Sequence, residues 1–145
     1  MPQSIQFLGR NKFLNAIKRK HIRQLLEETA NLEGYEIQNI TYIFMSDDEL
    51  LEINQQHLQH DDYTDIITFD LSDIEASVDG EIYVSIDRIK ENAKKFECTF
   101  DQELIRVLSH GLLHLLGYKD KSESDITIMR QKEAECLIKY DQISQ

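Results

Sequence analysis

The chain has no tryptophan, one proline, five glycines and two cysteines in 145 residues. So little Gly and Pro, beside 41% hydrophobic residues, excludes collagen-like, low-complexity and fully disordered chains. The two thiols, Cys98 and Cys136, stand singly and far apart, so no disulfide framework supports the fold. A reduced, cytoplasmic protein with both cysteines as packing residues is expected. Long hydrophobic runs are absent too. The most apolar stretch, residues 107–118, is interrupted by Ser109, His110 and His114 and falls short of the roughly 20 residues that cross a bilayer. The opening MPQSIQFLGRNKF lacks the apolar core and small-residue cleavage site of a secretory signal. The length and the 30% charged residues that remain suit one compact unit, residues 1–145, with no membrane partner.

Charge is missing by sign in two regions. Residues 1–26 carry six Lys or Arg (Arg10, Lys12, Lys18, Arg19, Lys20 and Arg23) and no acid. Residues 27–87 carry 17 Asp or Glu and no Lys or Arg. The remainder is balanced, so the net charge of −11 hides a basic first helix that could face a polyanion.

Hydrophobic spacing and turn residues predict four strands and five helices. Strands are expected at residues 5–8, 35–45, 64–71 and 81–86, the last entered through a turn at Asp79-Gly80. Helices are expected at residues 13–32, stopped by Gly34, and from a Ser46 cap to about Gln59, with Glu49 at the capping-box position. Three more are expected: from Asp87 to about Glu97, from Thr99 or Asp101 to near Gly117, and from Ser122 or Ser124 to about Tyr140. The order βαβαββααα suggests an α+β architecture, a small mixed sheet packed with helices.

The chemically informative segment is His110-Gly111-Leu112-Leu113-His114-Leu115-Leu116-Gly117-Tyr118-Lys119-Asp120. At about 100° per residue, His110 and His114 stand about 40° apart on one helix face, one turn apart. Leu104, Ile105, Leu108, Leu112, Leu115 and Leu116 fall on the opposite side and form the face to be buried. Gly117 is placed to take a positive φ and reverse the chain, which could return Asp120 toward the histidines. Two imidazoles and one carboxylate would leave a tetrahedral Zn²⁺ one open position, the arrangement of a catalytic site. Water bound there would have its pKa lowered to about 7.

The spacing overlaps the H-E-x-x-H-x-x-G-x-x-H of zinc proteases, whose general base is the Glu after the first His. That position is Gly111, which can abstract no proton. The segment HGLLHLLGYKD instead resembles the signature H-G-x-L-H-L-x-G-Y-D-H of the YbeY family of bacterial metal-dependent endoribonucleases. Upstream, Thr64-Asp65-Ile66-Ile67-Thr68-Phe69 resembles that family's T-D-V-L-S-F strand, Asn54 matches an Asn ahead of it, and Gly80-Glu81-Ile82 resembles its G-D/E-I strand start. Glu103 and residues 129–135 also fit its flanks.

The resemblance implies a small mixed sheet with helices, like a zinc-protease core. It implies cleavage of single-stranded RNA, with ribosomal RNA and the small ribosomal subunit as partners in maturation and quality control. By that resemblance, His110 and His114 match the first two metal ligands. Asp120 stands where the family commonly has a third His, and Lys119 where it has Asp. Leu58 stands where members often have Arg, and Arg106, about 40° from His110 on the same face, is a candidate catalytic residue in its place. Asp65 and Glu81 could line the cleft, and residues 18–23 could hold RNA backbone in a salt-sensitive way. Nucleophilic attack could come from metal-activated water or from the RNA 2′-OH. Two other readings stand beside this one: a zinc hydrolase of another substrate such as a peptide, and a non-enzymatic ribosome-assembly factor with a vestigial metal site.

Overall fold

The computed structural model describes residues 4–58 and 64–145, with the side chains of residues 57 and 58 left aside. Four strands, β1 (Ile5–Gly9), β2 (Glu36–Met45), β3 (Ile66–Asp70) and β4 (Ser77–Ser85), form one sheet in the order β1-β2-β4-β3. β1, β2 and β4 run parallel, and β3 lies antiparallel to β4 at the edge. Five helices complete the described fold: α1 (Ala16–Leu32), α2 (Asp47–Leu58), α3 (Ile86–Lys95), α4 (Phe100–Leu115) and α5 (Glu123–Ile143). The α+β mixed sheet expected from the sequence is what forms. Among the described residues, no helix is long and apolar enough to cross a membrane.

Period-two alternation divides β2 between the two faces of the sheet. Ile40, Tyr42 and Phe44 join Ile22, Leu25 and Leu26 of α1 and Leu104, Leu108 and Leu112 of α4 in the main core. Met45 joins Leu50 of α2 and Ile67 of β3 in a smaller cluster that includes Ile43. α5 packs across α1 and α4 as an outer layer. The phenol of Tyr42 crosses the main core to donate to the Leu108 carbonyl at 2.9 Å. That bond ties the sheet centre to the middle of α4, and burial pushes the phenol pKa up.

The helix caps follow side-chain chemistry read from the sequence, with shifts of a few residues. α1 begins at Ala16, not residue 13, because Asn15 caps it by accepting the Lys18 amide at 2.8 Å. The apolar spacing of Phe13 belongs to packing ahead of the helix, where its ring stands edge-on to Phe44 and Phe100. Ser46 and Glu49 form the reciprocal capping pair of α2. The expected last residue of that helix, Gln59, lies outside the described residues, as does the Leu58 side chain. Ser85 rather than Asp87 caps α3, Thr99 caps α4 with Gln102, and Ser122 caps α5 with Asp125.

One turn is misplaced by the sequence reading. Asp79-Gly80 is not a turn but lies inside β4, which begins at Ser77. The reversal comes earlier, where Ala76 takes φ 58° and the Ser72 hydroxyl donates to the Ser77 carbonyl at 2.8 Å. Gly80 serves close packing instead. A Cβ there would lie 2.8 Å from the Phe69 carbonyl oxygen and 3.0 Å from the Leu115 side chain.

Candidate metal centre

α4 carries the two histidines, and its sequence explains both its position and its rigidity. The expected apolar face is buried in full, and Val107, Ser109, Gly111 and Leu113 are buried as well. Gly111 faces the sheet, where a Cβ would meet Ile82 at 3.0 Å, so a larger residue would push helix and strand apart. Beyond its exposed first turn, only a narrow strip remains half-open to solvent, formed by Arg106, His110 and His114.

The helix ends in a Schellman turn. Gly117 takes φ 101°, its amide donates to the His114 carbonyl at 3.0 Å, and the Tyr118 amide donates to the Leu113 carbonyl at 3.0 Å. The Tyr118 hydroxyl donates to Glu33 at the end of α1, and Lys132 of α5 sits 5.8 Å over its ring. This hydrogen bond to Glu33, with some burial, raises the Tyr118 pKa. Pinned in this way, the chain doubles back. The Asp120 Oδ2 comes to 3.5 Å from His110 Nε2 and 3.4 Å from His114 Nε2.

The second nitrogen of each ring is already engaged. His114 Nδ1 donates to the Tyr118 carbonyl at 3.0 Å, and His110 Nδ1 meets Glu133 Oε2 at 2.5 Å. A carbonyl oxygen can only accept, so the Nδ1 of His114 carries its proton and its Nε2 presents a lone pair. The two Nε2 atoms face each other at 2.9 Å. With both Nδ1–H groups committed to acceptors, the two Nε2 atoms are left facing one another beside a carboxylate, where a cation would take both as ligands. Ligand atoms about 2.0–2.1 Å from a tetrahedral ion stand roughly 3.3 Å apart. The ligand atoms of His110, His114 and Asp120 all lie within 4.8 Å of one another, so the group fits a metal cofactor.

Glu133 lies in the 129–135 segment that fits the family's flanks but carries no site role in the sequence reading, although Met129, Glu133 and Cys136 trace the buried stripe of α5. An acid at a core-facing position was the available signal. Burial alone would raise its pKa, but its hydrogen bond to His110 and the charges of Arg106 and Arg130 hold it below the usual carboxylate value. Arg106 stays charged despite burial because Glu103, Glu133 and Asp65 surround it. Its Nε donates to Glu103 Oε1 at 2.9 Å, its Nη2 to Glu103 Oε2 at 2.5 Å, and its Nη1 to Glu133 Oε1 at 3.3 Å. The guanidinium thus lies behind His110, on carboxylates of the protein itself.

Other candidate residues are dispersed. Asp65 lies 3.8 Å from Arg106. Glu81 follows Gly80 in β4, on the opposite face of the sheet from Ile82, and accepts from the Tyr83 hydroxyl at 3.3 Å. On α1, Lys18 pairs with Asp101 at 2.9 Å, and Arg23 donates to the Ile5 carbonyl at 3.1 Å with its guanidinium 5.3 Å over the Phe7 ring. Two of the basic residues expected to face a polyanion are therefore engaged within the molecule.

An α+β sheet backing a helix with two histidines one turn apart, and a carboxylate returned by the next turn, defines a protein with a candidate metal centre. Residues 8–141 match the family described as Endoribonuclease YbeY. An Endoribonuclease YbeY of Cytophaga hutchinsonii is 50% identical over 116 residues, which are 80% of this chain and 81% of that one. Another, of Flavobacterium psychrophilum, is 54% identical over 98 residues, 68% of this chain and 69% of that one. The solution structure of TM1509 from Thermotoga maritima superposes with a TM-score of 0.67 at 33% identity, covering 94% of this chain and 88% of that one. The chain belongs to the endoribonuclease YbeY family.

Proposed function

We propose that the protein is a metal-dependent, single-strand-specific endoribonuclease of the cytoplasm, acting in ribosomal RNA maturation and small-subunit quality control. Residues 1–145 act as one metallohydrolase unit. His110, His114 and Asp120 hold one Zn²⁺. The convergence of the two Nε2 atoms at 2.9 Å, with each Nδ1 taken by an acceptor, carries this reading. When bound, the ion supplies a water of pKa near 7 and offsets negative charge on the phosphorane-like transition state. α4 carries both imidazoles on one face, and the Schellman turn holds the carboxylate against them. Arg106, engaged by Glu103 and Glu133, serves as a positioning residue. Exposed cations such as Lys12 and Lys20 hold flanking phosphates without reading sequence.

The test is cleavage of single-stranded ribosomal RNA fragments by protein purified without tags or added metal, with metal content measured in parallel. Cleavage that chelator abolishes, that Zn²⁺ restores and that His114→Ala lacks is the expected result. Product ends separate the two routes: a 2′,3′-cyclic phosphate marks attack by the 2′-OH, and a 5′-phosphate marks attack by water. RNA binding with no cleavage under any metal would leave an assembly factor with a vestigial site. Peptide turnover would make the protein a zinc hydrolase of another kind.

A further inference from the structure

We infer that Glu133 is the positioning residue of the metal centre: its buried carboxylate fixes the tautomer and aim of His110, and Arg106 in turn fixes Glu133. The inference rests on the metal-binding reading above and adds a residue from a helix outside the ligand segment.

The carboxylate has three partners from two helices. Its Oε2 meets His110 Nδ1 at 2.5 Å, and its Oε1 accepts from Arg106 Nη1 at 3.3 Å and from Arg130 Nη1 at 3.2 Å. The Glu133 side chain is 2% exposed, so water can replace none of these contacts. A buried carboxylate needs a partner at each oxygen, and this one has them. Arg106 is anchored from its other side by the two oxygens of Glu103, whose side chain is equally buried. The fork fits the carboxylate of Glu103 in bidentate fashion, which fixes its plane as well as its position. The chain of contacts therefore runs from Glu103 through Arg106 and Glu133 to His110, entirely behind the ring and on the side away from His114 Nε2.

This arrangement has a chemical consequence. An imidazole can carry its proton on either nitrogen, and only the Nδ1–H form turns a lone pair toward His114 and Asp120. A carboxylate at Nδ1 selects that form and makes Nε2 a better donor to a metal. His114 obtains the same selection from the Tyr118 carbonyl, a neutral acceptor. The two ligands are therefore oriented by different means, and the anionic one depends on α5 being docked on α4.

The experiment uses the full chain freed of metal. Zn²⁺ affinity is measured by competition with a chromogenic chelator for the native protein, Glu133→Gln, Glu133→Asp and His114→Ala. In parallel, ¹⁵N chemical shifts report the tautomer of His110 in the native protein near pH 8. The native protein is expected to bind one Zn²⁺ and to show His110 protonated on Nδ1. Glu133→Gln, whose amide can offer either a donor or an acceptor to Nδ1, is expected to lose about 10–100-fold in affinity. It is also expected to show a mixed tautomer, and Glu133→Asp to recover part of both. Affinity of Glu133→Gln equal to the native value, or a native His110 carrying its proton on Nε2, overturns the inference. Should Glu133→Gln fail to fold, the native tautomer decides alone. Failure of the native protein to bind Zn²⁺ at all would instead overturn the metal-binding reading, and His114→Ala would then match it.

Discussion

The three candidate ligands reach one point from two unlike regions. His110 and His114 sit on a helix buried on nearly every side, and their own side chains are 20% and 26% exposed. Asp120 sits on a surface loop, with its side chain 45% exposed. The helix delivers two nitrogens as rigidly as the core is packed, because moving either ring means shifting the buried Leu112 and pressing Gly111 against Ile82. The loop delivers its oxygen through one positive-φ glycine and the anchoring of Tyr118 on Glu33. A centre built this way has a fixed pair and an adjustable third. The loop end is therefore where a change of ligand would be most easily accommodated, and Asp120 stands where the signature H-G-x-L-H-L-x-G-Y-D-H has its last His.

Breaking the fixed half has the largest expected effect. His110→Ala removes a nitrogen and leaves the Glu133 carboxylate without its ring. Stoichiometric metal should vanish by elemental analysis, with helix content by circular dichroism retained. Leu112→Ala attacks the same half through its support. Leu112 is fully buried. The expected cost is about 2–5 kcal/mol in urea unfolding, with weaker Zn²⁺ binding as a by-product of a loosened α4.

The adjustable half should yield less. Asp120→Ala should weaken metal binding without abolishing it, while Asp120→His should bind nearly as well as the native chain in a chelator-competition titration. Equal losses for Asp120→Ala and His110→Ala would erase the distinction between the two regions. Gly117→Ala is the smallest expected change. A Cβ there meets nothing within 4 Å, so only the backbone at φ 101° resists it. That is about 1–2 kcal/mol in thermal or urea unfolding, with metal affinity falling only as far as Asp120 is displaced.

The same contrast explains what could be read from the amino-acid sequence. Local signals served well: the histidine spacing, the Ser46–Glu49 capping pair of α2, and the role of Gly117 all depend on residues within a few positions of each other. Features set by distant contacts did not declare themselves. Gly80 looked like a turn glycine because its reason, the approach of Phe69 and Leu115, comes from elsewhere in the chain. Arg106 lies on the histidine face as its spacing predicts, but the carboxylates that occupy its guanidinium come from α4 itself, from α5 and from Asp65 just ahead of β3. Glu133 is the clearest case. Its charge reads as surface, and only the docking of α5 turns it inward against His110.

The Schellman turn at Gly117 also sets a kinetic order. Amides in the middle of α4 can exchange with deuterium only through global opening, since nearly every neighbouring side chain belongs to the main core. Amides beyond Tyr118 have no such cover and should exchange through local excursions that leave the helix intact. If His110, His114 and Asp120 hold an ion, a sample given Zn²⁺ should show slower exchange in residues 118–122 while α4 is unchanged.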